Sequence, residues 1–574
     1  MPASRRCAAL LLPLWLALGA AACAPEDEVL TTHLALRLPE ALDCRPPAAV
    51  DALEVRALGD FPTTDGTVAV LGPEELPSVI DRFPVEAARM TVVARVGAEW
   101  RAGGVRVVPP GDLEGPVLLL PFGRSCPAAD PAFRARPGAA VAPLPDGGLL
   151  IAGGHTDGVA VRDVLRLPPG EQRVERVDDG LQVTRTGATA TATGALVVIA
   201  GGAQGAQGVA HDTYEVYDAA EGRMRFGEGR LRTARREHGA VPMPDGRVLI
   251  VGGRSAADAP PLGTAELVDA AGGEVRRVAG SLAVPRVRPE VRALDDGTVL
   301  VIGGSDVEGA AVSAVERFDP VEDGFAPTSC DVPGAGTAVP LPGARAAWVG
   351  VDPDADRLEV TLIRRGPGDE ILCGSGPELQ WPEALGTLAA APLPDGRLLV
   401  TGEAGAAPRA LVVDPGTGEV REAHASRVPV ALVPFADGAV AELDADGASL
   451  RREALRTAFD NPPATLLAGS AAGVAFDAAS RWEAQGALFV SRAAGARVDV
   501  PALRFEAVEI ELEAEADAGE VELLLVRDGE APEVVPHPGD GVLRWTHRGP
   551  PRVGIAVRAA PGAALRALRL ARVP

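Results

Sequence analysis

Lysine is absent from this chain, asparagine occurs once, at Asn461, and the only tyrosines are Tyr214 and Tyr217. With alanine, glycine, proline and arginine in heavy use, the gap reads as a compositional bias rather than a functional signature. Past the N-terminal segment no stretch reaches the roughly 18 unbroken apolar residues of a membrane helix. Basic charge is also short: 55 arginines face 79 acidic residues, a formal net charge of −24. A nucleic-acid or anionic-membrane surface demands clustered positive charge, so the balance argues against those partners. No helical period is sustained in the expected mature chain. No cysteines stand at CxxC spacing, and no two of His33, His155, His211, His238, His424, His537 and His547 stand at metal-ligand spacing, so the sequence predicts no metal and no cofactor. Asp352, Asp354 and Asp356 begin like a calcium loop, but the sixth position is not glycine and the twelfth is Ile363, so a solvated turn is expected. Gly205 and Gly208 lack the Lys-Ser/Thr of a phosphate loop, and there is neither a G-x-S-x-G element nor a glycosidase-like carboxylate pair.

What is there begins with an export signal. Arg5 and Arg6 precede an apolar run from Ala8 to Leu18 and the small residues Gly19 to Ala22, the order of a secretory signal. Cleavage after Ala22 would leave Cys23 first, and here the segment resembles bacterial lipoprotein signals, which implies a lipid on Cys23; plain cleavage near Ala22 or Ala24 is the alternative. Residues 1–22 are therefore expected as signal and 23–29 as a tether containing the acidic stretch Glu26-Asp27-Glu28. With Cys7 in the signal, Cys44, Cys126, Cys330 and Cys373 remain. Four cysteines allow three pairings. In an oxidising compartment Cys44–Cys126 and Cys330–Cys373 are expected, each closing a local module.

The centre of the chain repeats. Gly153-Gly154, Gly201-Gly202, Gly252-Gly253 and Gly303-Gly304 each end an apolar run, at steps of 48, 51 and 51 residues. The runs read PDGGLLIAGG from Pro145, TGALVVIAGG from Thr193, PDGRVLIVGG from Pro244 and DDGTVLVIGG from Asp295. Asp-Gly before apolar residues is a tight-turn signal, because both residues tolerate positive φ. An unbroken run such as Val248 to Val251 suits a strand buried on both faces. A third strand follows at Tyr214–Asp218, Ala265–Asp269 and Val315–Asp319, and a fourth at Val275–Ala279. Four antiparallel strands per roughly 50 residues is the blade of a β-propeller.

These units resemble the kelch family, in particular bacterial galactose-oxidase-like kelch repeats, over residues 136–329. Degenerate copies stand at Ala346–Gly350, at PDGRLLVTGE from Pro394 and at Asp437–Ala441. Together they give seven blades, with six the alternative. The fourth-strand tryptophan of many kelch units is missing from the clear copies, so smaller residues must pack the ring. The fold expected is all-β: a propeller over 128–457, a β-sandwich over 30–127 before it, and a jelly-roll-like β-sandwich over 458–574 after it.

In such a blade the first strand starts and the second strand ends at one face of the disc. Alignment on Asp-Gly puts Arg136, Arg235 and Arg286 before first strands, with His238 close by, while His155, Asp157, Arg254, Asp306 and Glu403 follow second strands. This rim of guanidinium, imidazole and carboxylate groups would suit a sugar, an acid or a peptide end. Equally, the arginines would bridge neighbouring blades through carbonyls and carboxylates. The resemblance to galactose oxidase raises copper, but that chemistry needs a tyrosyl cofactor crosslinked to cysteine, and Tyr214 and Tyr217 both fall in a third strand. Another kelch family interconverts acidic sugars by acid–base exchange, for which His238 with Glu237, or Arg235, would serve. The function expected is non-catalytic binding of an envelope or extracellular protein or glycan. The location expected is the cell envelope, on either face of the outer membrane, or outside the cell, with the lipid as the only membrane contact. A carbohydrate isomerase or hydrolase, or a structural envelope component, are the alternatives.

Overall fold

In the computed structural model, residues 29–453 are described apart from short connecting segments, and beyond 453 the backbone of the strands alone. The expected signal, the lipid cysteine Cys23 and the tether up to Glu28 lie outside the described residues, while Val29, the tether's last residue, opens the first strand. All regular elements among the described residues are strands.

Seven four-stranded antiparallel sheets run from Arg124 to Arg452. Blade 1 comprises Ala140–Pro143, Leu149–Ala152, Val164–Leu167 and Glu175–Arg176, and blade 2 Thr186–Thr193, Leu196–Ala203, Thr213–Asp218 and Arg223–Arg230. Blade 3 comprises Gly239–Pro242, Arg247–Val251, Thr264–Asp269 and Val275–Ser281, and blade 4 Glu290–Ala293, Val299–Ile302, Ala314–Asp319 and Gly324–Asp331. Blade 5 runs through Gly336–Leu341, Arg345–Asp352, Arg357–Arg365 and Ile371–Leu379, and blade 6 through Leu385–Pro392, Leu398–Ala404, Ala407–Val413 and Val420–Ala423. First strands of successive blades are neighbours, and the first strand of blade 7, Ala431–Pro434, returns to that of blade 1, so the ring is closed. The chain is thus a seven-bladed β-propeller.

The seventh blade is completed from the other end of the sequence. Val440–Leu443 and Ala448–Arg452 follow its first strand, but its fourth strand is Arg124–Pro127, paired Arg124 to Arg452 and Leu450 to Cys126. That segment falls inside the stretch assigned from sequence to the N-terminal module. It is too short, and too polar at Arg124 and Ser125, to announce itself as a strand; pairing with an existing edge makes it one. Buried ionic groups reinforce the seam: Arg451 donates to Glu442 at 2.5 Å and to Glu453 at 3.0 Å, and the Ser125 hydroxyl bonds Glu442.

Between blades, both faces of each sheet are covered, which is why the second strands read as unbroken apolar runs. Leu249, Val251 and Leu267 of blade 3 pack on Val291, Val299, Val301 and Phe318 of blade 4. Aliphatic residues fill most of the ring, as the missing tryptophans require, with Trp348 of blade 5 a buried exception against Leu300, Ile302 and Cys330.

The N-terminal module has a five-stranded sheet, with Ala52–Gly59 and Ala87–Val96 central, and a three-stranded sheet in which Val29–Arg37 pairs antiparallel with Ser78–Pro84 and parallel with Pro116–Leu118. It sits on the disc face formed by the first-to-second and third-to-fourth turns. Leu118 and Leu120 share a core with Phe435, Ala439 and Leu450, and Arg37 and Arg173 pair with Glu171 and Glu40. A cavity of about 20 Å³ remains at this junction, lined in part by Leu118, Pro168 and Phe435, which is room for about one water. The C-terminal strands form two sheets, one with the order Leu488–Ser491, Ala564–Arg572, Ala507–Ala514, Gly541–Arg548, the other Ala496–Leu503, Val553–Ala559, Val521–Val526, Glu533–Pro536. Among these eight strands consecutive ones alternate between the sheets, except that Val521–Val526 and Glu533–Pro536 pair within one, which is the strand order of a jelly roll.

Both disulfides have the expected partners, with Cα separations of 5.7 Å for Cys44–Cys126 and 5.3 Å for Cys330–Cys373. Neither closes a local module, contrary to the sequence expectation. The first ties the N-terminal module to the closing strand of blade 7, and the second ties the fourth strand of blade 4 to that of blade 5. The reason is geometric: neighbouring outer strands and a shared seam bring together residues that belong to different units.

Candidate functional site

At the mouth, where first strands begin, the arginines are committed to structure. Arg235 and Glu266 both have fully buried side chains, at 0% exposure. Arg235 donates through Nη2 to Glu266 at 2.7 Å and through Nη1 to the carbonyls of Gly252 (2.9 Å) and Thr264 (3.0 Å), while Glu266 also accepts from the amides of Arg232 and Thr233. Arg286 repeats this with Glu316, Gly303 and Ala314 at 2.6, 3.2 and 2.8 Å. Arg185 repeats it with Glu215, Gly201 and Thr213 at 2.9, 2.7 and 3.0 Å. Burial pushes all three guanidinium pKa values down, and the paired glutamate opposes it; arginine nonetheless stays charged. Arg136, whose blade has no such glutamate, bonds the carbonyls of Ile151 and Asp163 at 3.2 and 3.3 Å.

These side chains staple their own blade, and their backbones reach the previous one. The carbonyl of Arg185 accepts from Gly154 (2.8 Å), that of Arg235 from Gly202 (3.0 Å) and that of Arg286 from Gly253 (3.0 Å). The glycine pairs are therefore required twice. Gly201 and Gly202 have φ of 59° and 80°, and a Cβ on Gly201 would stand 2.2 Å from the Arg235 carbonyl oxygen. Of the two roles open to the arginines, the structure shows a structural one, made mostly within a blade rather than between side chains of neighbouring blades. Arg185 was missed in the sequence because its unit lacks the Asp-Gly on which the others align; the recurring Glu some 30 residues later would have revealed it.

His238 is sealed rather than poised. Its Nε2 lies 2.8 Å from the Thr189 hydroxyl, and its Nδ1 is buried without a partner. Burial, and then Arg235, push its pKa down to about 3. It is a neutral core imidazole, not a ligand-facing acid or base. His155 is half-buried, with Nδ1 at 3.2 Å from the Pro137 carbonyl and 3.3 Å from the Thr186 hydroxyl. Asp306 caps a turn, accepting from the amides of Glu308 and Ala310 at 2.9 Å each. Glu403 lies in the second strand of blade 6 opposite Pro408, away from blades 3 and 4, and Asp157 lies outside the described residues. Tyr214 and Tyr217 are buried between blades, each with its pKa raised by burial.

What the mouth does bring together is Glu237, Arg254 and Arg288. Arg254 is a sequence candidate, and Glu237 was noted beside His238; Arg288 was not foreseen. Arg254 donates to Glu237 Oε2 at 2.6 Å and Arg288 to Oε1 at 2.6 Å. Burial disfavours the Glu237 carboxylate, but the two guanidiniums outweigh it and hold its pKa below the ordinary value. Among the described first strands, that of blade 4 alone carries charge, with Glu290 paired to Arg292.

The mouth face is uneven. Second-to-third connections span 153–163, 204–212, 252–263 and 303–313 in blades 1–4, but only 353–356, 405–406 and 444–447 in blades 5–7. Two of the long ones bond their surroundings: Ala210 donates to the Ser255 carbonyl, and Arg254 exchanges backbone bonds with Arg236. They expose Val159, Val209 and Val307, at 66%, 73% and 73%. The flanking modules join the opposite face, since the fourth strand of blade 7 begins there at Arg124 and the third ends there at Arg452.

No protein family matches the chain, and no curated protein matches it. Among solved structures, a fungal alcohol oxidase of the AA5 family in complex with copper aligns at 13% identity and TM-score 0.47, covering 79% of this chain and 100% of its own. YjhT aligns at 10% identity and TM-score 0.36, covering 50% of this chain and 94% of its own.

Proposed function

We propose that this chain is an exported binding protein, tethered by a lipid at Cys23, whose propeller holds its channel mouth toward a protein or glycan partner and performs no catalysis. One observation carries the reading: both flanking modules join the face opposite the mouth, while ordered loops raise blades 1–4 on the mouth side and expose three valines. Exposed apolar side chains on the face opposite the attached modules fit a recognition surface. The two disulfides support an oxidising compartment. Against catalysis, the titratable groups best suited by sequence are already used: His238 is neutral and buried, and Arg235 and Arg286 are spent on Glu266 and Glu316.

The test is an array of glycans, organic acids and peptides probed with the chain from residue 24 onward, beside the triple variant Val159→Asp, Val209→Asp, Val307→Asp. These side chains are exposed, so the variant keeps the fold. Ligands captured by the parent and lost by the variant support the reading. Capture that is indifferent to the variant, or turnover of a captured compound, sinks it.

A further inference from the structure

Resting on that reading of the mouth, we propose that Arg288 is the anchor for an acidic side chain of a protein partner. Its backbone gives the first reason. Gly187 donates to the Gly138 carbonyl at 2.8 Å, Glu237 to that of Gly187 at 2.8 Å, and Arg288 to that of Glu237 at 2.7 Å, a relay along blades 1–4. The four residues stand at φ of 71°, 66°, 52° and 53° in chain order. Blades 1 and 2 use glycine, to which this region is open; blades 3 and 4 put full side chains there, against the steric preference of L-residues. Such strain persists where the side chain has a task.

The task is visible in the charges. Glu237 is clamped by Arg254 and in turn accepts from Nη2 of Arg288, which holds one end of the guanidinium. The Arg288 side chain is 70% exposed, and its Nε and Nη1 donors have no partner among the described residues. Farther along the same strand edge, Arg292 is used by Glu290 and by the Ala338 carbonyl at 2.9 Å. At the mouth of blades 3 and 4 the Arg288 guanidinium, held by Glu237 through Nη2, keeps Nε and Nη1 open, part of a planar donor set matched to a carboxylate.

The surroundings choose between a peptide and a sugar acid. Residues 134–138, 153–163, 183–185, 204–212, 232–238, 252–263, 283–289 and 303–313, which form the mouth of blades 1–4, include no Phe, Tyr or Trp. No aromatic ring is offered there for the C–H face of a sugar to stack on. Val307, two residues from the Ser305 that bridges to Val287 beside Arg288, is exposed and suits an aliphatic side chain flanking the acidic residue.

The experiment is fluorescence anisotropy on the chain from residue 24 onward, with a library of Val- and Leu-flanked peptides carrying central Glu, their Gln twins, and oligogalacturonate as the glycan probe. Glu peptides should bind, with Gln twins at least about 10-fold weaker. Arg288→Gly should lose the same factor while its Tm stays level or rises, because the left-handed backbone is relieved. Arg288→Ala should lose binding without the rise. Equal binding of Glu and Gln peptides, retained binding by Arg288→Gly, or capture of oligogalacturonate alone overturns the inference. If binding falls in the triple valine variant but ignores Arg288→Gly, the mouth remains the binding surface and only the anchor is refuted; indifference to both refutes both.

Discussion

Replacing His238 with glutamine tests the neutral core imidazole directly. The ring stands at a pKa of about 3 in the folded protein against 6.5 for a free histidine. Between those values the unfolded chain takes up a proton that the folded chain refuses, so this contribution is intact above pH 6.5 and falls away as pH drops toward 3. The slope is about 1.4 kcal/mol per pH unit, and from pH 7 to pH 5 the loss is about 2 kcal/mol. Protonation would add a buried cation beside Arg235 and a second donor where Nδ1 already lacks a partner. His238→Gln keeps a polar group for the Thr189 hydroxyl but cannot titrate. Urea unfolding of parent and variant at both pH values gives the difference of differences. A parent that loses about 2 kcal/mol more than the variant supports the assignment. Equal losses would mean that His238 reaches solvent in the folded ring, and the argument that it is no acid–base residue would fail with it.

Other expectations follow from the ring. Arg235→Met should cost about 3–5 kcal/mol by leaving Glu266 buried and unpaired, and adding Glu266→Leu should recover part of the loss, read from urea midpoints. Gly201→Ala should be far more damaging than Gly158→Ala, near 1 kcal/mol, because the new Cβ meets the Arg235 carbonyl in one case and open space in the other. Serine at both Cys44 and Cys126 should lower stability by about 4 kcal/mol, as expected for releasing a loop of 82 residues; a loss under about 1 kcal/mol would mean the seam holds without it.

The blades were legible because their signals are local. Asp-Gly turns, apolar second strands and glycine pairs each follow from neighbours in sequence, and they gave the period and the antiparallel order. The closing strand was not legible, because Arg124–Pro127 is a strand only through Arg452 and its neighbours, more than 300 residues on. The candidate site divided the same way. That Arg235 and Arg286 share a position was readable; that Glu266 and Glu316 consume them was hidden in third strands read as packing. Arg288 needed the backbone: its alignment with Gly138 and Gly187, two residues after each arginine, carries meaning only once all four are seen at positive φ.

The bridge between Cys44 and Cys126 also governs how the molecule bears tension. A pull on the N-terminal end first strains the pairing of Val29–Arg37, and then reaches Cys44 and crosses directly to Cys126. The 81 residues between the cysteines, which stand 82 apart in sequence, are shielded, and about 280 Å of extensible chain is withheld. Force arrives instead at Cys126, inside the seam opposite Leu450, so the ring's own closure becomes the element that yields, and a reductant would turn a stiff mooring into a long slack one.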